Sequence, residues 1–255
     1  MSAKSFWRGI RVSLVSSAFV CAAVGAAGYF DRDPVHVYPA RSPARPIAVV
    51  NISGDMGLRF LMGASTSRGL TEHHIPVVGI STPAVFRTKR TRAEVDAFMA
   101  QAVRTAIART GRDRIVVMGQ SYGADIVQTG LANLPAELRR HVAAIVLVLP
   151  GDSVYFRADP TGWAYHGTPD SVAKDTADTL TWAPLTCIQG AEEDDSLCPQ
   201  LRVPGATVIA MPGGHNIHHD EAGLLRHVLT AIAKVTPKDA GADQSATRPS
   251  AAVPR

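Results

Sequence analysis

The pentapeptide Gly119-Gln120-Ser121-Tyr122-Gly123 lies between an apolar run, Arg114-Ile115-Val116-Val117-Met118, and a helix-like stretch that begins Ala124-Asp125-Ile126-Val127. The chain must therefore turn sharply from a buried strand straight into a helix, with a serine at the corner. Glycines on both sides let the turn be tight and the serine backbone strained, so that its hydroxyl points outward. The helix behind it supplies oriented N–H groups. A strand, a Gly-x-Ser-x-Gly turn and a helix in this order form a nucleophile elbow.

The chain has 255 residues, of which 46% are hydrophobic, enough to bury a substantial core in one domain. Its formal net charge is +4, from 26 basic and 22 acidic residues spread without a long Lys/Arg run, which gives nucleic-acid binding no support. Lys4, Arg8 and Arg11 precede an apolar stretch from Val12 to Phe30 that ends among Ala22, Ala23, Ala26 and Ala27. This pattern predicts a secretory signal over residues 1–30, or an N-terminal membrane anchor if it is not cleaved, and so export. Cys21 lies in that stretch behind Val20, where a lipidated cysteine would need a small residue, and no lipoprotein is expected. The remaining cysteines, Cys187 and Cys198, are expected to pair in an oxidising compartment. No metal or cofactor is expected, because the nearby carboxylates are poor partners for a thiolate metal site.

The Pro- and Arg-rich stretch over residues 31–45 reads as an extended linker, and the domain is expected to occupy residues 46–237. Strands are expected at 47–52, at 76–81, before the elbow, at 142–149, at 185–189 and at 207–211. Residues 58–68, 92–109, the stretch after the elbow and the segment around Leu224 to Ile232 read as helices. Strands alternating with helices predict an α/β fold, a mostly parallel sheet with helices on both faces. Residues 152–181, with Trp163 and Tyr165, show no period and read as an excursion near the site. The composition of 238–255 predicts a disordered tail.

A serine nucleophile needs a base and an acid that orients the base, here expected in the chain order Ser, acid, His. Met211-Pro212-Gly213-Gly214-His215 places a histidine on a glycine loop after the last strand, so His215 is the expected base, with His218 and His219 as substitutes. The acid should follow Gln189-Gly190, where Glu192, Glu193, Asp194 and Asp195 compete; spacing favours Glu193, and a bulge would select Asp194. A Cys187–Cys198 bond would close this loop and fix the acid. The oxyanion donors should be the Tyr122 N–H and one from the Ser53-Gly54-Asp55-Met56-Gly57 loop, at Asp55 or Met56.

Four blocks together resemble the VirJ/AcvB family of bacterial virulence-associated periplasmic proteins. They are Ile52-Ser53-Gly54-Asp55, Gly119 to Asp125, Cys187-Ile188-Gln189-Gly190 with Glu193 and Cys198-Pro199, and Pro212-Gly213-Gly214-His215. The resemblance implies an α/β-hydrolase-type domain, with the elbow serine at Ser121 and the Gly-Gly-His base at His215. It further implies a serine ester hydrolase that removes lysine or alanine from aminoacyl-phosphatidylglycerol. The expected partners are that phospholipid at the membrane surface and periplasmic secretion-system proteins. Two departures from the family pattern, Met56 with Leu58 in the first loop and Asn216 after the histidine, bear on the oxyanion loop and on substrate choice. Three alternative readings stay open: a serine esterase acting on another substrate, a non-catalytic periplasmic interaction protein, and a lipid-binding protein that sequesters its ligand without product.

Overall fold

The computed structural model describes residue 25, residues 28–59 and residues 61–236. Most of the expected export segment, including Cys21, and the expected tail at 238–255 lie outside the described residues. No described helix is long and apolar enough to cross a membrane.

Among the described residues, nine strands and seven helices follow in chain order. They are β1 (Val35–Tyr38), β2 (Ile47–Ile52), α1 (Leu61–Glu72), β3 (Val77–Ile80), α2 (Thr82–Val85), α3 (Arg92–Thr110), β4 (Arg114–Gln120), α4 (Tyr122–Leu131) and α5 (Ala136–Arg139). There follow β5 (Val142–Val148), β6 (Ser153–Val154), β7 (Ser171–Val172), α6 (Ala173–Ala177), β8 (Leu185–Gly190), β9 (Thr207–Met211) and α7 (Glu221–Val235). Seven strands form one sheet in the order β1-β3-β2-β4-β5-β8-β9, parallel except for β1.

The burial pattern explains the layers. Every residue of β2 is buried, and alternate residues serve opposite faces, as a central parallel strand requires. Ala48, Val50 and Ile52 join a core with α3, α4 and α6, while Ile47 and Val49 join a second core with α1 and α7. Helix α3 starts at a capping box: Thr91 Oγ1 accepts from the Glu94 N–H, and Glu94 Oε2 accepts from the Thr91 N–H. It stops where Gly111 takes a left-handed conformation at φ 64°.

Two expectations are corrected here. Residues 31–45 are not wholly linker, because Val35–Tyr38 forms the edge strand β1, antiparallel to β3 with Val35 opposite Ile80. Alternation is too short to register in four residues, and the pairing is decided by the exposed edge of β3. The first helix begins at Leu61 rather than Leu58 and runs on to Glu72, and α2 was not expected.

The strand order reverses at β2, with β3 on one side and β4 on the other. Ligand crevices of parallel sheets open at such a point, beyond the carboxyl ends of the strands. The loop after β2 and the corner after β4 both lie there.

Candidate active site

Ser121 occupies the corner between β4 and α4 with φ 52° and ψ −127°, a conformation that favours glycine. It is held by backbone bonds on both sides. Its N–H donates to Val148 O at 2.7 Å, and its carbonyl accepts from the Ala124 N–H at 2.7 Å. Close approach of α4 to the neighbouring strand explains the last glycine of the motif, since a Cβ on Gly123 would lie 2.2 Å from Ile52 O. Ser121 does not cap the helix with its side chain. Its hydroxyl meets His215 Nε2 at 2.7 Å instead.

His215 stands on the loop after β9 and Glu193 on the loop after β8. The two loops are tied by the Glu192 N–H to Gly213 O at 3.0 Å and the Ala191 N–H to Met211 O at 2.7 Å. Their contact requires glycine at 190, where a Cβ would lie 2.3 Å from Gly214 O. Glu193 Oε2 accepts from the Gly190 N–H at 2.7 Å, and Oε1 lies 2.5 Å from His215 Nδ1. A carboxylate can only accept, so Nδ1 carries the proton and Nε2 of the neutral ring is free to accept from Ser121. The Glu193 side chain is 5% exposed against 58% for His215, so the charge is sheltered while the imidazole faces the cleft. The Glu193 hydrogen bond raises the His215 pKa, burial opposes it, and the charges of Glu193, Asp195 and Asp55 raise it further.

The structure separates the remaining candidates. Asp194 is exposed and has no hydrogen bond to His215 among the described residues; the turn from Gly190 brings the longer Glu193 side chain inward instead. His218 and His219 follow in a 3-10 turn, Ile217–His219, and neither bonds to Ser121. Cys187 and Cys198 form a disulfide with Cα atoms 5.5 Å apart, and it closes the loop that carries Glu193. The Tyr122 N–H, at the first position of α4, has no hydrogen-bond partner among the described residues. Gly54 lies directly beside the Ser121 side chain, which brings the loop of Asp55 and Met56 to the corner. That loop is braced by Thr82, whose N–H donates to Ser53 Oγ at 3.0 Å and whose hydroxyl donates to Gly54 O at 2.8 Å. In that loop the Gly57 N–H donates to Gly54 O at 3.0 Å, and neither the Asp55 nor the Met56 N–H has a backbone hydrogen-bond partner among the described residues.

A cavity of about 710 Å3 opens over Ser121 and His215. The excursion after β5, with Ser153, Tyr155 and Tyr165 among its residues, forms much of its wall. Asp55, Asp125, Asp152, Glu193 and Asp195 line it, and no lysine or arginine among the described residues does.

The family described as bacterial virulence protein (VirJ) matches residues 46–236. The chain belongs to this family. No curated protein sequence matches the chain. Among solved structures, Est1E from Butyrivibrio proteoclasticus is 15% identical with a TM-score of 0.56, over 80% of this chain and 96% of that one. The α/β hydrolase GrgF from a Penicillium species is 10% identical with a TM-score of 0.60, over 78% and 93%. A Xanthomonas campestris protein described as an α/β serine hydrolase without a lid is 16% identical with a TM-score of 0.53, over 80% and 89%. The fold shared with these structures is the α/β hydrolase fold.

Sequence reasoning assigned no role to Thr82, Asp125 or Asp152. Asp125 had a usable signal, because it lies in the first turn of the helix that starts directly after Ser121. Thr82 and Asp152 reach the site only through the packing of separate loops.

Proposed function

We propose that this protein is a periplasmic serine ester hydrolase that cleaves the aminoacyl ester of lysyl- or alanyl-phosphatidylglycerol. The observation that carries the esterase reading is the hydrogen-bonded chain from Glu193 through His215 to a serine in a strained turn. In this reading His215 takes the Ser121 proton as Oγ attacks the ester carbonyl, and the Tyr122 N–H, with the N–H of Asp55 or Met56, receives the oxyanion. Collapse breaks the ester bond, and the departing glycerol oxygen takes the proton from His215. Water, deprotonated by His215, then attacks the acyl-serine; the acyl–Oγ bond breaks, Ser121 Oγ recovers the proton from His215, and the amino acid is freed.

The substrate half of the proposal rests on family membership, supported by two features of the site. The cavity wall is acidic, which suits a cationic acyl group. Trp163 is 81% exposed, next to Gly162, which lines the cavity, and an exposed Trp beside a site mouth suits the headgroup level of a bilayer. The disulfide suits an oxidising compartment.

Amino-acid release from vesicles containing lysyl- or alanyl-phosphatidylglycerol tests the reading. The purified protein should release one or both amino acids, and folded Ser121→Ala should lose at least about a thousandfold of that rate. Ser121-dependent cleavage of soluble esters without release from either lipid would leave an esterase with another substrate. No turnover of any ester would favour the interaction-protein reading.

A further inference from the structure

Asp55 and Asp125 line the cavity beside Ser121, where, among the described residues of the wall, His215 is the one basic side chain and no lysine or arginine faces them. Asp125 lies in the first turn of α4, which begins directly after Ser121, and its N–H donates to the Ser121 carbonyl at 3.2 Å. Its Oδ1 accepts from the Gly151 N–H at 2.8 Å, and its Oδ2 has no hydrogen-bond partner among the described residues. Asp55 follows Gly54, on which a Cβ would lie 3.5 Å from the Ser121 Cβ, and Asp55 Oδ2 accepts from the Tyr165 hydroxyl at 3.1 Å. The third group is Tyr122, only 4% exposed, with its ring stacked on Tyr165 at 5.9 Å between centroids. Its hydroxyl is buried with no hydrogen-bond partner, although it belongs to a residue of the cavity wall. A buried tyrosine hydroxyl ordinarily finds one.

Burial pushes the carboxyls of Asp55 and Asp125 above the ordinary range, and the charges of Asp55, Asp195 and Asp152 push Asp125 further. Such a wall is adverse to the chemistry beside it, because attack on an ester builds negative charge within a few ångströms of these groups. A positive charge brought by the substrate removes the conflict and draws the carboxyls back to their ionised forms. No three His, Cys, Asp or Glu side chains among the described residues group as metal ligands, which leaves an organic cation as the fitting group. A primary ammonium has three N–H donors, and the unfilled acceptors here are an oxygen of Asp55, Oδ2 of Asp125 and the Tyr122 hydroxyl.

We propose that Asp55, Asp125 and the Tyr122 hydroxyl form a subsite for the α-ammonium of an aminoacyl ester, so that a free amino group is part of what the enzyme recognises. This rests on the ester-hydrolase reading, though not on the identity of the alcohol or on a lipid. The ammonium sits one carbon from the carbonyl under attack, so a subsite one helical turn from Ser121 is at the right reach.

The experiment compares the ethyl esters of alanine and N-acetylalanine with the full-length protein. Acetylation removes the charge and leaves the ester. The free-amine ester should be favoured in kcat/KM by roughly a hundredfold, and a wild-type ratio near one would overturn the proposal. Asp55→Asn with Asp125→Asn keeps the acceptors for Tyr165 and Gly151 and removes both charges, and it should bring the ratio below about tenfold. A preference that survives in the folded double variant would overturn the assignment of these residues. Calorimetric titration of Ser121→Ala with alaninamide and N-acetylalaninamide reads the subsite without catalysis. Alaninamide should bind at least about tenfold more tightly, and equal binding would overturn the subsite. Selective alaninamide binding with no Ser121-dependent ester cleavage would keep the subsite and remove the ester-hydrolase reading.

Discussion

Ser121 stands in a backbone conformation that costs on the order of 1–3 kcal/mol for a non-glycine residue. It is not alone. Of the six non-glycine residues with positive φ among those described, Leu149 lines the cavity and Ile217, His218 and His219 follow the histidine loop, leaving only His74 remote from the site. Strain concentrated around one cleft implies that the surrounding packing over-determines these positions for a purpose other than stability. Ser121→Gly should therefore be more stable than Ser121→Ala by about 1 kcal/mol in urea titrations, while neither turns over ester. Equal stability of the two would mean that the corner is relaxed in solution. Glu193→Gln addresses the next link, because an amide can still accept from His215 Nδ1 but carries no charge. The imidazole must be neutral to accept the serine proton, and its raised pKa places the acid limb of kcat/KM above that of an ordinary histidine. Removing the Glu193 charge should lower the rate by about a hundredfold or more and move that limb to lower pH, which a pH–rate profile reads directly.

Loops, rather than the sheet, decide whether these side chains meet. The acid loop is closed by the Cys187–Cys198 bond across 11 residues, and a loop of that size gains about 3 kcal/mol from closure. Cys187→Ala with Cys198→Ala should lower the urea midpoint accordingly. It should also reduce kcat more than KM, since Glu193 rather than the substrate wall loses its tether. The excursion after β5 presents Trp163 on a compact turn in which Asp159 Oδ1 accepts from the Thr161 N–H and Oδ2 from the Ala164 N–H. A tryptophan held outward in this way beside the cavity should matter only at an interface. Trp163→Ser is expected to slow release from vesicles by about tenfold and to leave soluble-ester turnover within about twofold. The serine corner, the histidine loop and the cysteine pair were legible in the sequence because each is a short local pattern with one physical cause. Spacing from Gly190 ranked Glu193 before Asp194, as the bond to His215 has it, but left Asp194 open, since the outcome depends on how the Gly190 turn packs against the Gly213-Gly214 backbone. The meeting of Asp55, Asp125 and Tyr165 was hidden, because three separate elements bring them together.

At the scale of the whole molecule, long apolar runs such as Val142 to Leu149 announced the parallel sheet, since strands covered on both faces carry no polar alternation. The sheet's first edge gave no such sign. Val35-His36-Val37-Tyr38 lies among prolines and arginines, and its role as β1 comes from pairing with β3. The surrounding segment is fastened as well: the Ser81 N–H donates to Pro34 O at 2.9 Å, and the Arg45 N–H donates to His74 O at 2.8 Å. The matched family region starts at residue 46, yet a protein cut there would lose β1 and expose β3 as an open edge. At about 1 kcal/mol net for each lost backbone hydrogen bond, truncation at residue 46 should cost on the order of 3 kcal/mol or more relative to truncation at residue 28. It should also promote association through the bared strand. Urea midpoints and size-exclusion profiles of the two truncations would show this. Equal stability and a monomeric profile for the shorter protein would return residues 31–45 to the status of a linker. The cut would reach the site too, because β3 runs directly into Ser81 and Thr82, and Thr82 holds the Ser53-Gly54 backbone next to Ser121. Loss of β1 should therefore lower turnover even in molecules that remain folded.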